Sequence, residues 1–264
     1  MAQRPATALL LAAGRGERMR PLTDTCPKPL LQVRGKPLLQ WHLEALARAG
    51  CEAAVVNTAW LGEQIEASFG EHFFAAPGIQ AKASVDPGAS TGVALRYSHE
   101  GQDFCHALET AGGIVRALPH LADVFWVAGG DVFAPDFVFD PAAITAFAAS
   151  DRLAHIWLVP NPAHNPGGDF GLSPEGLALN LPKSAAPPNA GTPQRYTFST
   201  IALYRRVFFE AAWCDIPAGN PTGLKAPLAP LLRAAMDAGR VGATRYTGAW
   251  TDVGTPERLV ALNS

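Results

Sequence analysis

The sequence predicts an α/β fold: a mostly parallel sheet with helices on both faces. Two observations carry this. Residues 6–13, 53–57 and 124–128 are short, nearly continuous apolar runs, as strands buried on both faces are. The stretches between them carry helical spacing, and strands alternating with helices assemble as a parallel sheet with crossover helices. With 264 residues, 48 % of them apolar, the chain has the material for one large core.

Taken in order, residues 6–13 form a first strand that ends at Gly14, and a long polar loop follows. A helix begins at Pro37, whose fixed φ suits a first turn; Leu39, Leu43 and Leu46 recur at i, i+4 and i+7, and Gly50 stops it. Residues 53–57 are a strand, 61–69 a helix, 94–97 and 124–128 strands, and 142–149 a helix opened by Asp140-Pro141. Beyond 153–159 the pattern changes. Pro160, Pro162, Pro166, Gly167, Gly168 and later Pro187-Pro188 punctuate short strand candidates, read as a lid-like excursion from the same sheet that ends in a strand over 196–204. Helices over 207–212 and 228–238, a strand over 245–252 and a last segment over 256–262 close the chain, without an internal repeat.

Charge narrows the function. Lys and Arg number 21 against 23 Asp and Glu, a net charge of −2 without a basic block, which argues against nucleic acid or a membrane surface as partner. No stretch approaches the roughly 20 apolar residues that span a bilayer. The apolar run at 6–13 is short for a signal peptide and leads into charged residues 14–20. Cys26, Cys51, Cys105 and Cys214 show no C-x-x-C spacing and suggest no disulfide framework, so a reducing cytoplasm is expected. His99, Cys105 and His106 fit no zinc ligand pattern.

The chemistry concentrates in residues 10–30. A strand ending in Ala12, Ala13 and Gly14 leaves backbone N–H groups free to surround phosphate oxygens, since glycine allows close approach. The dinucleotide fingerprint G-x-G-x-x-G fails at Met19, and the P-loop motif is absent. The loop instead matches G-x-G-x-R-[ML]-x-P-L-T-x-x-x-P-K-P-L at Gly14, Gly16, Arg18, Met19, Pro21, Leu22, Thr23, Pro27, Lys28, Pro29 and Leu30. In this it resembles the sugar-1-phosphate nucleotidyltransferases. The resemblance implies a Rossmann-like sheet of the nucleotide-diphospho-sugar transferase type, with Arg18 and Lys28 as catalytic cations and Ala12, Ala13, Gly14, Gly16 and Arg18 around the nucleotide. A guanidinium fork suits triphosphate oxygens, and Lys28 is a point charge set between prolines.

Two further strands each deliver a carboxylate near a C-terminal end, Asp131 after 124–128 and Asp252 in Trp250-Thr251-Asp252-Val253-Gly254-Thr255. Either could be a turn or cap residue. Together they are similar to the family's two metal-binding aspartates, which implies Mg2+, a cation that prefers hard oxygens. Glu109, Thr110, Gly112 and Gly113 resemble the loop against the base, with Asp131 also beside the nucleotide. Gly168, Asp169 and Phe170 with Ser199 and Thr200 resemble the walls of the sugar site, and Lys225 recurs before the last long helix of relatives.

The resemblance implies one domain over 1–264, with about 1–150 binding nucleotide and about 151–264 forming the sugar part and closing helices. It is expected to be a monomer or small homo-oligomer, acting on a nucleoside triphosphate and a sugar 1-phosphate. Trp60 in Ala59-Trp60-Leu61-Gly62, Glu109-Thr110 and Gly168-Asp169-Phe170 are most similar to the branch that pairs UTP with N-acetylmuramate α-1-phosphate. Lys225 or Arg195 is then expected to meet that sugar's carboxylate, and backbone groups around 109–113 the base. A glucose- or mannose-1-phosphate nucleotidyltransferase is the near alternative, and a non-catalytic nucleotide-sugar sensor the distant one. The chain departs from the family pattern at Gly130, where asparagine is common, at Phe133 for tryptophan, at Thr200 and Ala111 for glycines, and in a longer loop over 100–107.

Overall fold

The computed structural model describes residues 6–75, 92–182 and 194–264. Strand β1 (Thr7–Leu11) leads through a long loop to the ribbon β2 (Gln32–Val33) and β3 (Lys36–Pro37), then α1 (Leu38–Arg48), β4 (Ala53–Thr58), α2 (Gly62–Phe69) and β5 (His72–Phe74). The middle of the chain forms β6 (Gly92–His99), α3 (Glu100–Phe104), α4 (Glu109–Ala117), β7 (Val124–Gly129), β8 (Val132–Phe133) and α5 (Pro141–Ala149). The last part forms β9 (Ala154–Val159), β10 (Phe170–Leu172), β11 (Ala178–Leu179), β12 (Arg195–Arg205), α6 (Leu228–Asp237), β13 (Val241–Arg245), β14 (Thr251–Asp252) and α7 (Pro256–Asn263).

The main sheet runs β11-β10-β12-β7-β1-β4-β6-β5, with β9 and β13 continuing from β12. Strands β7, β1, β4 and β6 are parallel, as their apolar runs predict. Antiparallel β12 then joins β7, and beyond it β9 and β13 are again parallel to each other. Side chains alternate across β1: Leu9 packs with Ile114, Val115, Leu228 and Leu232 of α4 and α6, while Ala8 and Leu10 pack with Leu39, Leu43 and Leu46 of α1. Helices therefore cover both faces.

Three expectations are corrected. The strand expected over 245–252 lies earlier, at Val241–Arg245; Gly242 and Ala243 give it little strand propensity, and only Thr251–Asp252 regains strand form. The helix expected over 207–212 is one 3-10 turn, Arg206–Phe209, whose Phe208 and Phe209 are buried in the core. Residues 100–107 contain the short helix α3. Pro187-Pro188 lie outside the described residues. Among the described residues no helix is long and apolar enough to cross a membrane.

A third, small core sits under the loop that follows β1. It joins Met19 to Leu31, Val33, Leu38, Phe133 and Val253, so the motif methionine anchors the loop against β8 and the residue after β14. Met19→Ala is expected to cost about 2–5 kcal/mol, the range for truncating a buried large side chain, measured by urea unfolding. A loss below about 1 kcal/mol would show that the loop is held elsewhere.

Candidate active site

Parallel pairing sets Leu11 of β1 opposite Gly129 of β7, and Gly130 N–H donates to Leu11 C=O at 2.8 Å. The polar loop and Asp131 thus leave the sheet side by side at its C-terminal edge, where open α/β sheets bind ligands. Lys28, confined to a 3-10 turn between Pro27 and Pro29, extends to Asp131, with Nζ 2.6 Å from Oδ2. Any side chain at 130 would begin 2.8 Å from Leu11 C=O, so the departure from asparagine belongs to this close crossing.

The loop is folded by its own polar groups. Gly16 has φ +69°, and Thr23 Oγ1 donates to its carbonyl at 2.9 Å. Arg15 donates to Thr23 C=O at 2.7 Å and to Asp24 Oδ1 at 3.0 Å, and its guanidinium lies 3.7 Å above the Trp60 ring. Trp60 Nε1–H also donates to Thr23 C=O, at 2.9 Å. Arg15 beside Asp24 holds that carboxyl below the usual carboxylate range. Arg18 is exposed and has no ion-pair partner among the described residues, and its Nη2 lies 3.2 Å from where a Cβ on Gly254 would sit.

Two cavities adjoin here. One, about 460 Å³, is lined by Ala12, Ala13, Gly14, Gly16 and Asp131, expected around the nucleotide, and by Lys28; Arg18, expected there as well, is not part of its lining. The other, about 540 Å³, is lined by Asp169, Phe170, Phe198, Tyr204 and the α6 residues Leu228, Leu232 and Arg233. Leu11, Glu109, Thr110 and Thr200 line both, so the cavities share a wall. Thr200 stands at φ +60° in an irregular stretch of β12 between Phe198 and Ala202. Glycine enters that backbone region freely, and a β-branched residue holds it only at a cost of order 1–3 kcal/mol. Ser199 C=O accepts from Trp250 Nε1–H at 3.1 Å, and Ser199 Oγ accepts from Ile201 N–H at 3.1 Å.

Asp252 reaches the same edge through β14, which pairs with β8, and Val253 N–H donates to Asp131 C=O at 2.9 Å. Arg258 Nη1 lies 2.5 Å from Asp252 Oδ2. The other oxygen, Oδ1, is buried without a hydrogen bond although His164 Nε2 is 2.8 Å away. A buried carboxylate oxygen without a donor is an open ligand position for a hard cation, so the pair Asp131 and Asp252 fits Mg2+. Among the described residues no group of three or more His, Cys, Asp or Glu forms a metal cage, so such an ion would complete its shell with phosphate oxygens and water.

Several expected site residues have other surroundings. Gly112 packs against Leu224 C=O, and Gly113 against Glu100 Oε1 and Asn57 Nδ2; both are close-packing glycines outside the cavity walls. Ala111 and Gly112 donate their N–H groups to Ala226 C=O, which leaves Glu109 and Thr110 as the part of that loop facing the cavities. Ser199 and Gly168 are buried and line neither of the two cavities. Lys225 is exposed and lines neither cavity. Arg195 spends its donors on the carbonyls of Gly167, Gly168, Asp169, Leu181 and Pro182, so it clamps the 167–182 segment and is not free to meet a substrate carboxylate.

Sequence reading missed His164, Arg258, Asn57 and Glu100. Asn57 Oδ1 accepts from Ala12 N–H at 2.8 Å, and its Nδ2 donates to Glu100 Oε1 at 2.7 Å. Glu100 Oε2 accepts from Leu108 N–H at 2.7 Å. One buried carboxylate thereby ties the end of β1 to the loop that opens α4. Burial pushes the Glu100 carboxyl up, and the donors from Leu108 and Asn57 oppose that rise.

Comparison with known proteins agrees with this architecture. Residues 7–173 match the model of the nucleotidyl transferase family, and the chain belongs to that family. It is a nucleotidyltransferase enzyme. Among its relatives, N-acetylmuramate alpha-1-phosphate uridylyltransferase of Neisseria meningitidis is 44 % identical over 254 residues, covering 96 % of this chain and 94 % of that one. The enzyme of the same name from Caulobacter vibrioides is 29 % identical, covering 100 % and 98 %. Mannose-1-phosphate guanylyltransferase of Mycobacterium tuberculosis is 30 % identical over 98 % of this chain and 64 % of its own length. In fold, a solved UDP-glucose pyrophosphorylase superposes with a TM-score of 0.69 at 18 % identity, covering 98 % of this chain and 97 % of that one.

Glu100→Gln tests the buried tie. Both carboxylate oxygens accept from N–H donors, so the new amide must set an NH2 against Asn57 Nδ2 or Leu108 N–H. A loss of about 1–3 kcal/mol is expected, with weakened triphosphate binding, measured by urea unfolding and calorimetry. Unchanged values in both would remove the tie from the site.

Proposed function

We propose that the chain transfers a uridylyl group from UTP to N-acetylmuramate α-1-phosphate and releases pyrophosphate, in bacterial cell-wall recycling in the cytoplasm. The observation that carries this reading is the pair of cavities sharing Leu11, Glu109, Thr110 and Thr200, one flanked by Lys28 and Asp131 and the other by sugar-sized apolar walls. The name of the relatives that match over nearly their whole length supports the substrate pair.

In this reading a phosphate oxygen of the sugar attacks the α-phosphorus, a new P–O bond forms, and the bond to the β-phosphate oxygen breaks. The attacking oxygen is already ionised, so no general base is required. Such a transfer depends on in-line positioning and charge neutralisation. Lys28 lines the 460 Å³ cavity and neutralises a phosphate oxygen there, while Arg18, exposed and without an ion-pair partner among the described residues, is available to the leaving pyrophosphate. Mg2+ held by Asp131 and Asp252 would add charge neutralisation at the phosphate oxygens. A non-catalytic sensor would have no need of Arg18, Lys28, Asp131 and Asp252, and the chain retains all four.

Arg18→Ala and Lys28→Ala are each expected to lower turnover by about 10²-fold or more with the fold intact. Asp131→Asn and Asp252→Asn are expected to abolish activity, and EDTA to silence the wild type until magnesium or manganese is restored. Pyrophosphate release across four triphosphates and several sugar 1-phosphates checks the substrates. UTP with N-acetylmuramate α-1-phosphate is expected to lead by at least about tenfold in kcat/KM. Faster turnover of glucose- or mannose-1-phosphate would refute the substrate reading and leave the reaction class standing.

A further inference from the structure

We propose that Arg233 receives the lactyl carboxylate of the sugar and so sets sugar selectivity, an inference that rests on the substrate reading above. N-acetylmuramate differs from N-acetylglucosamine by a lactyl ether bearing a carboxylate. A site that selects it needs room and a cation; of the two cations expected from sequence, Lys225 is exposed and does not line the cavity, and Arg195 is engaged by backbone carbonyls.

Arg233 meets both needs. It stands on α6 among Leu228, Ala229 and Leu232, on the side of the helix that walls the 540 Å³ cavity. It is the one basic side chain lining that cavity among the described residues. Its guanidinium lies 5.1 Å above the Phe170 ring, which holds the planar fork against the cavity wall. Its hydrogen bond runs from Nη1 to Asn180 Oδ1 at 2.6 Å. Among the described residues no carboxylate pairs with it. Asn180 donates its amide to both oxygens of Asp237, each at 3.0 Å, and so stands between that carboxylate and the guanidinium.

Two acids line the same cavity, Glu109 on the shared wall and Asp169. Asp169 accepts from Asn165 Nδ2 at 3.2 Å and from Phe198 N–H at 2.9 Å, so its charge is directed into its own loop. A half-buried guanidinium with unused donors, beside apolar side chains and paired directly with no carboxylate among the described residues, is a receptor for a planar anion. The opposite wall, Glu109, Thr110 and Thr200, belongs also to the cavity lined by Lys28. A sugar lying between them would present its phosphate to Lys28 and a distal substituent to α6.

The test compares N-acetylmuramate α-1-phosphate with its lactyl methyl ester, which has the same bulk without the charge, in wild type, Arg233→Met and Arg233→Lys, with melting temperatures as the folding control. Wild type is expected to disfavour the ester by about 10- to 100-fold in kcat/KM, mainly through KM, as for loss of a hydrogen bond to a charged group. Arg233→Met is expected to lose that discrimination, and Arg233→Lys to keep part of it. Equal use of acid and ester by wild type, or undiminished discrimination in Arg233→Met, overturns the inference while the substrate reading stands. Wild-type preference for glucose- or mannose-1-phosphate overturns both.

Discussion

The ion pair between Lys28 and Asp131, 2.6 Å long and spanning 103 residues of sequence, is the point on which the site turns. It exists because parallel β1 and β7 end in register, Leu11 against Gly129, so the loop that carries the cation and the turn that carries the carboxylate leave from adjacent strands. Lys28 is mostly buried, so removing Asp131 would leave its ammonium without a partner, while Asp131 itself is partly open to solvent. Gly16, Thr23 and Trp60 shape the loop around the lysine, while Met19 fastens it to Phe133 and Val253 beneath. The loop is therefore a built surface, and Arg18, exposed on it, has no ion-pair partner among the described residues.

Stability is given up at the places where the cavities meet. Thr200 and Glu109 both hold positive φ, at +60° and +59°, and both line the shared wall. Strain of this kind persists where surrounding structure over-determines the backbone, and here β12, Trp250 and the Ala226 carbonyl do so. A buried Glu100 and an orphaned Asp252 oxygen add to the cost.

The parallel half of the fold was legible because its strands are short apolar runs and α1 is bounded by Pro37 and Gly50. The loop after β1 stood out for a related reason: its residues are contiguous, so their spacing survives as a motif. Strand β13 was hidden by Gly242 and Ala243, whose place in the sheet comes from pairing with β9. Glycines were misleading in the other direction. Gly112 and Gly113 read as ligand contacts, yet they permit helix α4 to approach Leu224 and Glu100. Arg258, His164 and the Asn57–Glu100 tie bring together residues far apart in the chain, and single-residue types at such distances leave no local pattern. Arg233 left a faint one, a charge beside the buried stripe of Leu228, Leu232 and Ala235 on α6.

Two cavities that share a wall, one of them lined by Lys28, give room for two substrates side by side, and in the proposed reaction the nucleotidyl group passes directly between them. The most direct measurement is exchange of labelled pyrophosphate into UTP, with and without the sugar 1-phosphate. Direct transfer requires that exchange be negligible until the sugar is supplied. Exchange at comparable rates without any sugar would reveal a nucleotidyl group resting on the protein itself, and would contradict the shared-cavity account.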